Sequence, residues 1–588
     1  MLSFSFTLLL FVITLALVFL VVLEFSRKSR NPKRELKSKI AKGALISAYV
    51  SLLLLIVFQH LWNTSLPYFL LFSVTVILLL FAIIGPSSSN KKYSLILVIL
   101  LHVVALSMLF PRIGIMITER SPAFLKLREA KSWNTEWLLL DSYYNPFPVD
   151  LGLFYTFETM TNINYIDLFS KWIIFLFFLI AYDLTLFSLA RKIGGSWMIG
   201  ILAIVLFTFT PPLIIDPQPQ WLANLFVFLC TLELFKALKY SPSASNAILI
   251  NLSYSIAILL HGTAAIFLVI ATILFALMLF GRKIRMNITT TSFNRSFIYV
   301  ILISIYLITL CRWIILGGFE PVVTPISALF DDLLGIGQTT WIGTQYTSLY
   351  DQFVSPILAY AWALPLSLAF AFLLFHFINR AKRKSLEVVF ALSMGLAGSS
   401  LAFVGFLGSL LISHANLQRY LGYASIPILI PVAAMAFAKI LRYSSWKIVS
   451  MGLISILLFT EFGICDPGLS PQLYTTIKTV NPILLENLVE GNTLRGIISE
   501  KTNVISTYEI LTALWYLNLL EESSEKTIKF YASSLKTHRI MAEELMEEKE
   551  ALPGVIYIWT PEILAPIEEI PVNVIYNSGQ HVAVEGIE

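Results

Sequence analysis

The residue best placed for chemistry is a carboxylate, Asp141, in the string WLLLDSYYNPFPVDLGLFYTF from Trp137 to Phe157. It follows a short apolar run and precedes Ser142, Tyr143, Tyr144, Asn145, Pro146, Phe147 and Pro148. The prolines forbid a continuous helix there, so the carboxylate sits at a fixed bend. An ionised carboxylate so held can take a proton from a hydroxyl, or it can cap the turn by accepting backbone amide hydrogens. Val149 to Thr161 is apolar apart from Asp150 and Glu158 and fits an amphipathic helix lying in an interface.

Three arginines fall at or near the same ends of apolar runs: Arg120, Arg312 and Arg419. A guanidinium holds phosphate through a bidentate fork. Each has a plainer reading. Arg120 can pair with Glu119, Arg312 can snorkel to headgroups, and Arg419 can pair with lipid phosphate or with Asp351. His261, in LLHGTAA, either binds a polar ligand or caps a tight helix hairpin. Asp351 shares a long polar loop with Asp331, Asp332, Trp341, Tyr346 and Tyr350. Such a loop suits sugar stacking and hydroxyl recognition, or it is simply solvated.

The elements that must position these groups are membrane spans. The chain has 588 residues, 57% hydrophobic and 13% charged, with a mean hydropathy of +0.79. That balance leaves too little charge for a water-facing surface, and repeated apolar runs read as transmembrane helices. Runs near 2–25, 44–61, 67–85, 93–110, 164–189, 195–213, 220–238, 245–260, 262–280, 297–316, 355–378, 387–413, 420–440 and 446–465 predict about fourteen spans. The first is followed, not preceded, by a basic cluster from Arg27 to Lys42, which reads as a retained helix with its N-terminus outside.

Short basic loops then recur on one side: Lys91-Lys92, Arg191-Lys192, Lys236 with Lys239, Arg282 to Arg295, Arg380 to Lys384 and Arg442 to Lys447. The positive-inside rule makes that side cytoplasmic. The loops 111–162 and 317–355 are then external. Asp183 and Glu233 read as residues near cytoplasmic helix ends, leaving few charges at mid-depth. Cys230, Cys311 and Cys465 form neither a disulfide framework nor a metal spacing.

From Asp466 the hydropathy drops. Strands are predicted at VIST (Val504 to Thr507), IKFYA (Ile528 to Ala532) and VIYIW (Val555 to Trp559), with a closing hairpin through Asn577-Ser578-Gly579. Alternation with helical stretches suggests a small α/β domain. The expected architecture is therefore a polytopic α-helical membrane protein of about 14 transmembrane helices with a small C-terminal extracytoplasmic α/β domain. Residues 1–92 supply N-terminal helices, 93–465 the main transmembrane domain and 466–588 the tail.

The pattern of a span, an external loop with Asp followed by Tyr-Tyr-x-Pro-x-Pro, an interface helix and the next span resembles the GT-C superfamily of membrane glycosyltransferases. Pro211-Pro212 with Asp216, and Arg419-Tyr420 opening a helix, resemble its protein-mannosyltransferase and aminoarabinose-transferase members. The resemblance is strongest from Tyr93 to Lys239. It implies transfer of a sugar from a polyprenyl-phosphate (such as dolichyl-phosphate) donor to a protein, lipid or glycan acceptor on the extracytoplasmic face of the plasma membrane.

On that reading Asp141 is the catalytic residue and base of an inverting displacement. Arg419, Arg312 and Arg120 hold the donor phosphate, while Tyr143, Tyr144, His261 and Asp351 contact substrate. A divalent metal, Mg or Mn, stays open, because Asn145 stands where members carry His. A transporter or flippase for a lipid-linked substrate, and a noncatalytic membrane scaffold, are the alternatives. No nucleic-acid partner is expected.

Overall fold

The computed structural model describes residues 34–61, 65–84, 90–107, 115–116, 156, 159–160, 173–209, 219–240, 242–260, 295–316, 356–378, 385–412, 424–442, 447–465, 482–483, 493–494, 503–506, 529–530, 555–559, 572–577 and 582–586. The predicted spans 2–25 and 262–280 lie outside them. Each other predicted span has a helix at its position. These are α1 (Arg34–Leu61), α2 (Ser65–Ile84), α3 (Asn90–Ser107), α4 (Ile173–Gly194), α5 (Trp197–Thr208) and α6 (Pro219–Lys239). They continue as α7 (Ala244–Leu260), α8 (Arg295–Leu316), α9 (Pro356–Ile378), α10 (Leu386–Ile412), α11 (Ala424–Arg442) and α12 (Lys447–Cys465).

Two boundaries differ from the apolar runs. Helix α1 begins at Arg34, so Lys37, Lys39 and Lys42 of the basic cluster are helical and not in a loop. Lysine, glutamate and alanine are good helix formers and let a span continue beyond the hydrocarbon. Helix α4 runs on to Gly194 and takes Arg191 and Lys192 into its last turn. Gly195, at φ 67°, then reverses the chain into α5. That left-handed conformation suits glycine because it has no Cβ to clash.

Helix α5 is the centre of the bundle. Every residue from Met198 to Thr208 is buried. It packs against α4, α11 and α3. Gly200 permits the approach of α4: a Cβ there would lie 2.5 Å from a ring carbon of Phe187 and 2.9 Å from its carbonyl oxygen. The outer faces of other helices are apolar and exposed, including Leu53 at 62%, Phe177 at 70% and Tyr306 at 60%. Water would not tolerate so large an apolar surface, but lipid requires one. Two described segments, Ile40–Val57 and Leu386–Phe403, are by themselves long and apolar enough to cross a bilayer.

The tail holds a five-stranded mixed sheet. In chain order its strands are β3 (Asn503–Ser506), β4 (Lys529–Phe530), β5 (Val555–Trp559), β6 (Val572–Asn577) and β7 (Val582–Gly586). The spatial order is β4-β3-β5-β7-β6. Strand β3 pairs in parallel with β4 and β5, whereas β7 runs antiparallel to both β5 and β6. Parallel neighbours need crossover connections. Ile556, Ile558, Ala583 and Val584 are buried. A separate two-residue bridge joins β1 (Ile115–Met116) to β2 (Pro482–Ile483).

Candidate functional site

The helix ends sort by charge. The Trp197 indole donates to the Lys91 carbonyl at 3.0 Å, and Arg191 lies over the Trp197 ring at 4.6 Å. Lys192 lies over Tyr240, and Lys239 pairs with Glu387 at 2.9 Å. Lys439 donates to His376. These contacts tie the start of α3, the end of α4, the start of α5, the end of α6 and the start of α10 into one basic end. The end of α9 meets the end of α11 in the same manner. Glu233, near the end of α6, is held by Lys236 and Asn246. It is a helix-end residue, as its position in the sequence suggested.

Helix α3 starts at the basic end and delivers the chain to β1. Strand β1 pairs with β2 in the tail, Ile115 opposite Ile483 and Met116 opposite Pro482. Residues that follow α3 in the sequence are thereby joined to the tail. Asp141, Tyr143, Tyr144, Arg120, His261, Asp351 and Arg419 themselves lie outside the described residues, as do Asp331 and Asp332.

Arg312 is described. It is 8% exposed, so it faces the protein interior and does not snorkel to headgroups. One turn earlier on α8, the Thr309 and Tyr254 hydroxyls share a hydrogen bond of 2.8 Å, which fixes this face of α8 against α7.

Asp183 corrects the expectation that it sits at a helix end. It is fully buried near the middle of α4, and both its oxygens lie 2.9 Å from Nδ1 of His102 on α3. Twelve residues of α3 separate His102 from Asn90 at the basic end, about 18 Å at a helical rise. The pair is thus at mid-depth. The misplacement came from ending the α4 run at Leu189. His102 carried a signal that was not used: it is an ionisable residue inside the run LILVILLHVVALS.

Phe207 of α5 packs edge-on to His102 and stacks on Tyr182 at 4.7 Å between centroids. Tyr182 also meets Phe228 of α6. Both ionisable side chains are sealed from solvent by these rings. Among the described residues no group of three or more His, Cys, Asp and Glu is arranged to hold a metal.

Fold, lipid-suited surface and sorted helix ends define a polytopic α-helical membrane protein. The chain matches no protein-family model and no curated protein sequence. In fold it is similar to several solved structures. One is ArnT from Cupriavidus metallidurans bound to undecaprenyl phosphate, at 12% identity and TM-score 0.46, covering 85% of this chain and 98% of that one. Another is the oligosaccharyltransferase AglB from Archaeoglobus fulgidus in complex with an inhibitory peptide and a dolichol-phosphate. There the identity is 12% and the TM-score 0.42, covering 76% of this chain and 62% of that one. Neither value extends the likeness to the residues of a site.

Proposed function

We propose that this chain is a GT-C-type glycosyltransferase of the plasma membrane. It moves a sugar from a polyprenyl-phosphate donor to a hydroxyl of a protein, lipid or glycan acceptor on the face opposite the basic helix ends, the extracytoplasmic face. The observation that carries the reading is the pairing of β1 with β2. It supports a site roofed by the tail and built on the stretch that contains Asp141. The reading also puts both chain termini on that side, from the sided basic loops of the sequence. The domain division at 92/93 and 465/466 belongs to the same reading.

In the reaction the acceptor heteroatom forms a bond to the anomeric carbon as the bond from that carbon to the phosphate oxygen breaks. The acceptor proton passes to the Asp141 carboxylate, and polyprenyl phosphate leaves with the bonding pair. Arg312, Arg419 and Arg120 hold the leaving phosphate. Tyr143, Tyr144, His261 and Asp351 orient the sugar and acceptor. No step is assigned to a metal.

The test is transfer from a panel of labelled polyprenyl-phosphate sugars by the purified full chain in nanodiscs. Wild type is expected to label an acceptor, and Asp141→Asn to lose at least about a hundredfold in rate. Equal rates would remove Asp141 as base.

A transporter is the second reading, favoured by one observation, the mid-depth His102–Asp183 pair. It calls for movement of a lipid-linked sugar across vesicles that Asp183→Asn abolishes and Asp141→Asn leaves intact. The sealing of the pair by aromatic rings weighs against it.

A further inference from the structure

We infer that His102 and Asp183 are a positioning pair that fixes the two stems of residues 108–172, the stretch that carries Asp141. Helix α3 is the last described helix before that stretch and α4 the first after it. In the setting of catalysis this rests on the proposed function, but the structural role does not.

Helix α4 packs mainly on α5 and α6, and α3 packs mainly on α5, α1 and α2, so α3 and α4 meet only lightly. At the basic end both are tied to α5 through Trp197, which donates to the Lys91 carbonyl and lies under Arg191, so the halves nearer the stretch are the ones left to be fixed. In a lipid-surrounded bundle close packing and interhelical polar contacts hold helices together, without a hydrophobic drive.

A buried polar pair fixes these halves. His102 and Asp183 are both at 0% exposure, and Nδ1–H donates to the carboxylate. A slip by one helical turn moves a side chain about 5.4 Å and leaves a carboxylate unpaired among apolar residues. This is the registry role that a lone polar residue plays in a coiled-coil seam. Phe207 reinforces it by touching the ring of His102 on α3 and that of Tyr182 on α4 at the same level. Nε2 of His102 is buried with no hydrogen-bond partner among the described residues, so the Asp183 contact alone anchors this ring by hydrogen bonding.

The test uses the full chain in nanodiscs with Cys230, Cys311 and Cys465 replaced by serine. Nitroxides are placed at Ser107→Cys and Ile173→Cys, the stem ends, and distances are read by pulsed EPR. A second label pair joining α10 to α11 serves as control. His102→Gln and Asp183→Asn are each expected to broaden the stem distance or shift it by about 5 Å, one helical turn, with the control unchanged. The exchanged variant, His102→Asp with Asp183→His, is expected to return the narrow wild-type distance. It also keeps the test decisive where a single variant fails to fold.

Wild-type distances in the folded single variants, or a change shared equally by the control pair, would overturn the inference. So would failure of a folded exchanged variant to restore the distance. A wild-type chain that transfers no sugar would sink the proposed function and leave these distances standing.

Discussion

Ile115 and Ile483 face each other across an antiparallel backbone bridge, although most of the membrane domain lies between them in sequence. This is the contact that joins the stretch after α3 to the tail. Because it is made by backbone groups, it is sensitive to proline, which lacks the N–H and fixes φ. Ile115→Pro is expected to loosen the tail, seen as faster release of a C-terminal fragment in limited proteolysis, while the helical content by circular dichroism stays unchanged.

The chain contains a buried polar pair, His102 with Asp183, and a surface ion pair, and they should behave differently. His102→Ala leaves a buried carboxylate without its partner, at a cost of about 3–5 kcal/mol. Lys239→Ala breaks the pair with Glu387, whose side chains are 29% and 26% exposed. Solvent screening limits that loss to at most about 1 kcal/mol. Thermal unfolding in one detergent is expected to show a large fall for the first variant and a small one for the second.

Two neighbouring glycines should fail for different reasons. At Gly200 any side chain meets Phe187, including its carbonyl oxygen, so Gly200→Val is overpacked by about 1–3 kcal/mol. At Gly195 a Cβ meets nothing within 4 Å, but φ is +67°. Gly195→Ala therefore costs only the backbone strain, about 1–2 kcal/mol. Phe187→Ala is expected to relieve the ring's share of the Gly200→Val defect, the carbonyl oxygen remaining, and to leave Gly195→Ala untouched, which a double-mutant comparison of unfolding temperatures checks.

The Tyr254–Thr309 hydrogen bond joins α7 to α8 next to Arg312. A double-mutant cycle with Tyr254→Phe and Thr309→Val is expected to give a coupling near 0.6 kcal/mol, since interhelical hydrogen bonds in membranes are modest. Thr309 also donates within its own helix to the Ile305 carbonyl, which limits the loss further.

Apolar runs revealed where the helices fall, because a bilayer demands about 20 apolar residues whatever the partner. Strands in the tail were equally legible: VIST, IKFYA and VIYIW each lie within one residue of β3, β4 and β5 or enclose them. Depth within a helix was not. Arg191 and Lys192 read as a loop, although they close the last turn of α4, and that shift moved Asp183 from an end to the middle. Nor was centrality legible. A helix apolar all round looks the same whether lipid or protein surrounds it, so nothing marked α5 as the hub. The pairing of His102 with Asp183 spans 81 residues and follows from three-dimensional packing alone. Of the candidate site, Arg312 is placed and buried, while Asp141 rests on the local bend chemistry of its own stretch.

Helix α5 has consequences for biogenesis. It emerges from the ribosome after α3 and α4 but before α11, which covers its remaining side. Until α11 is made, the nascent chain carries an uncapped groove whose proper occupant does not yet exist. Truncations ending between α5 and α11 should therefore be cleared by quality control even though each of their helices inserts normally.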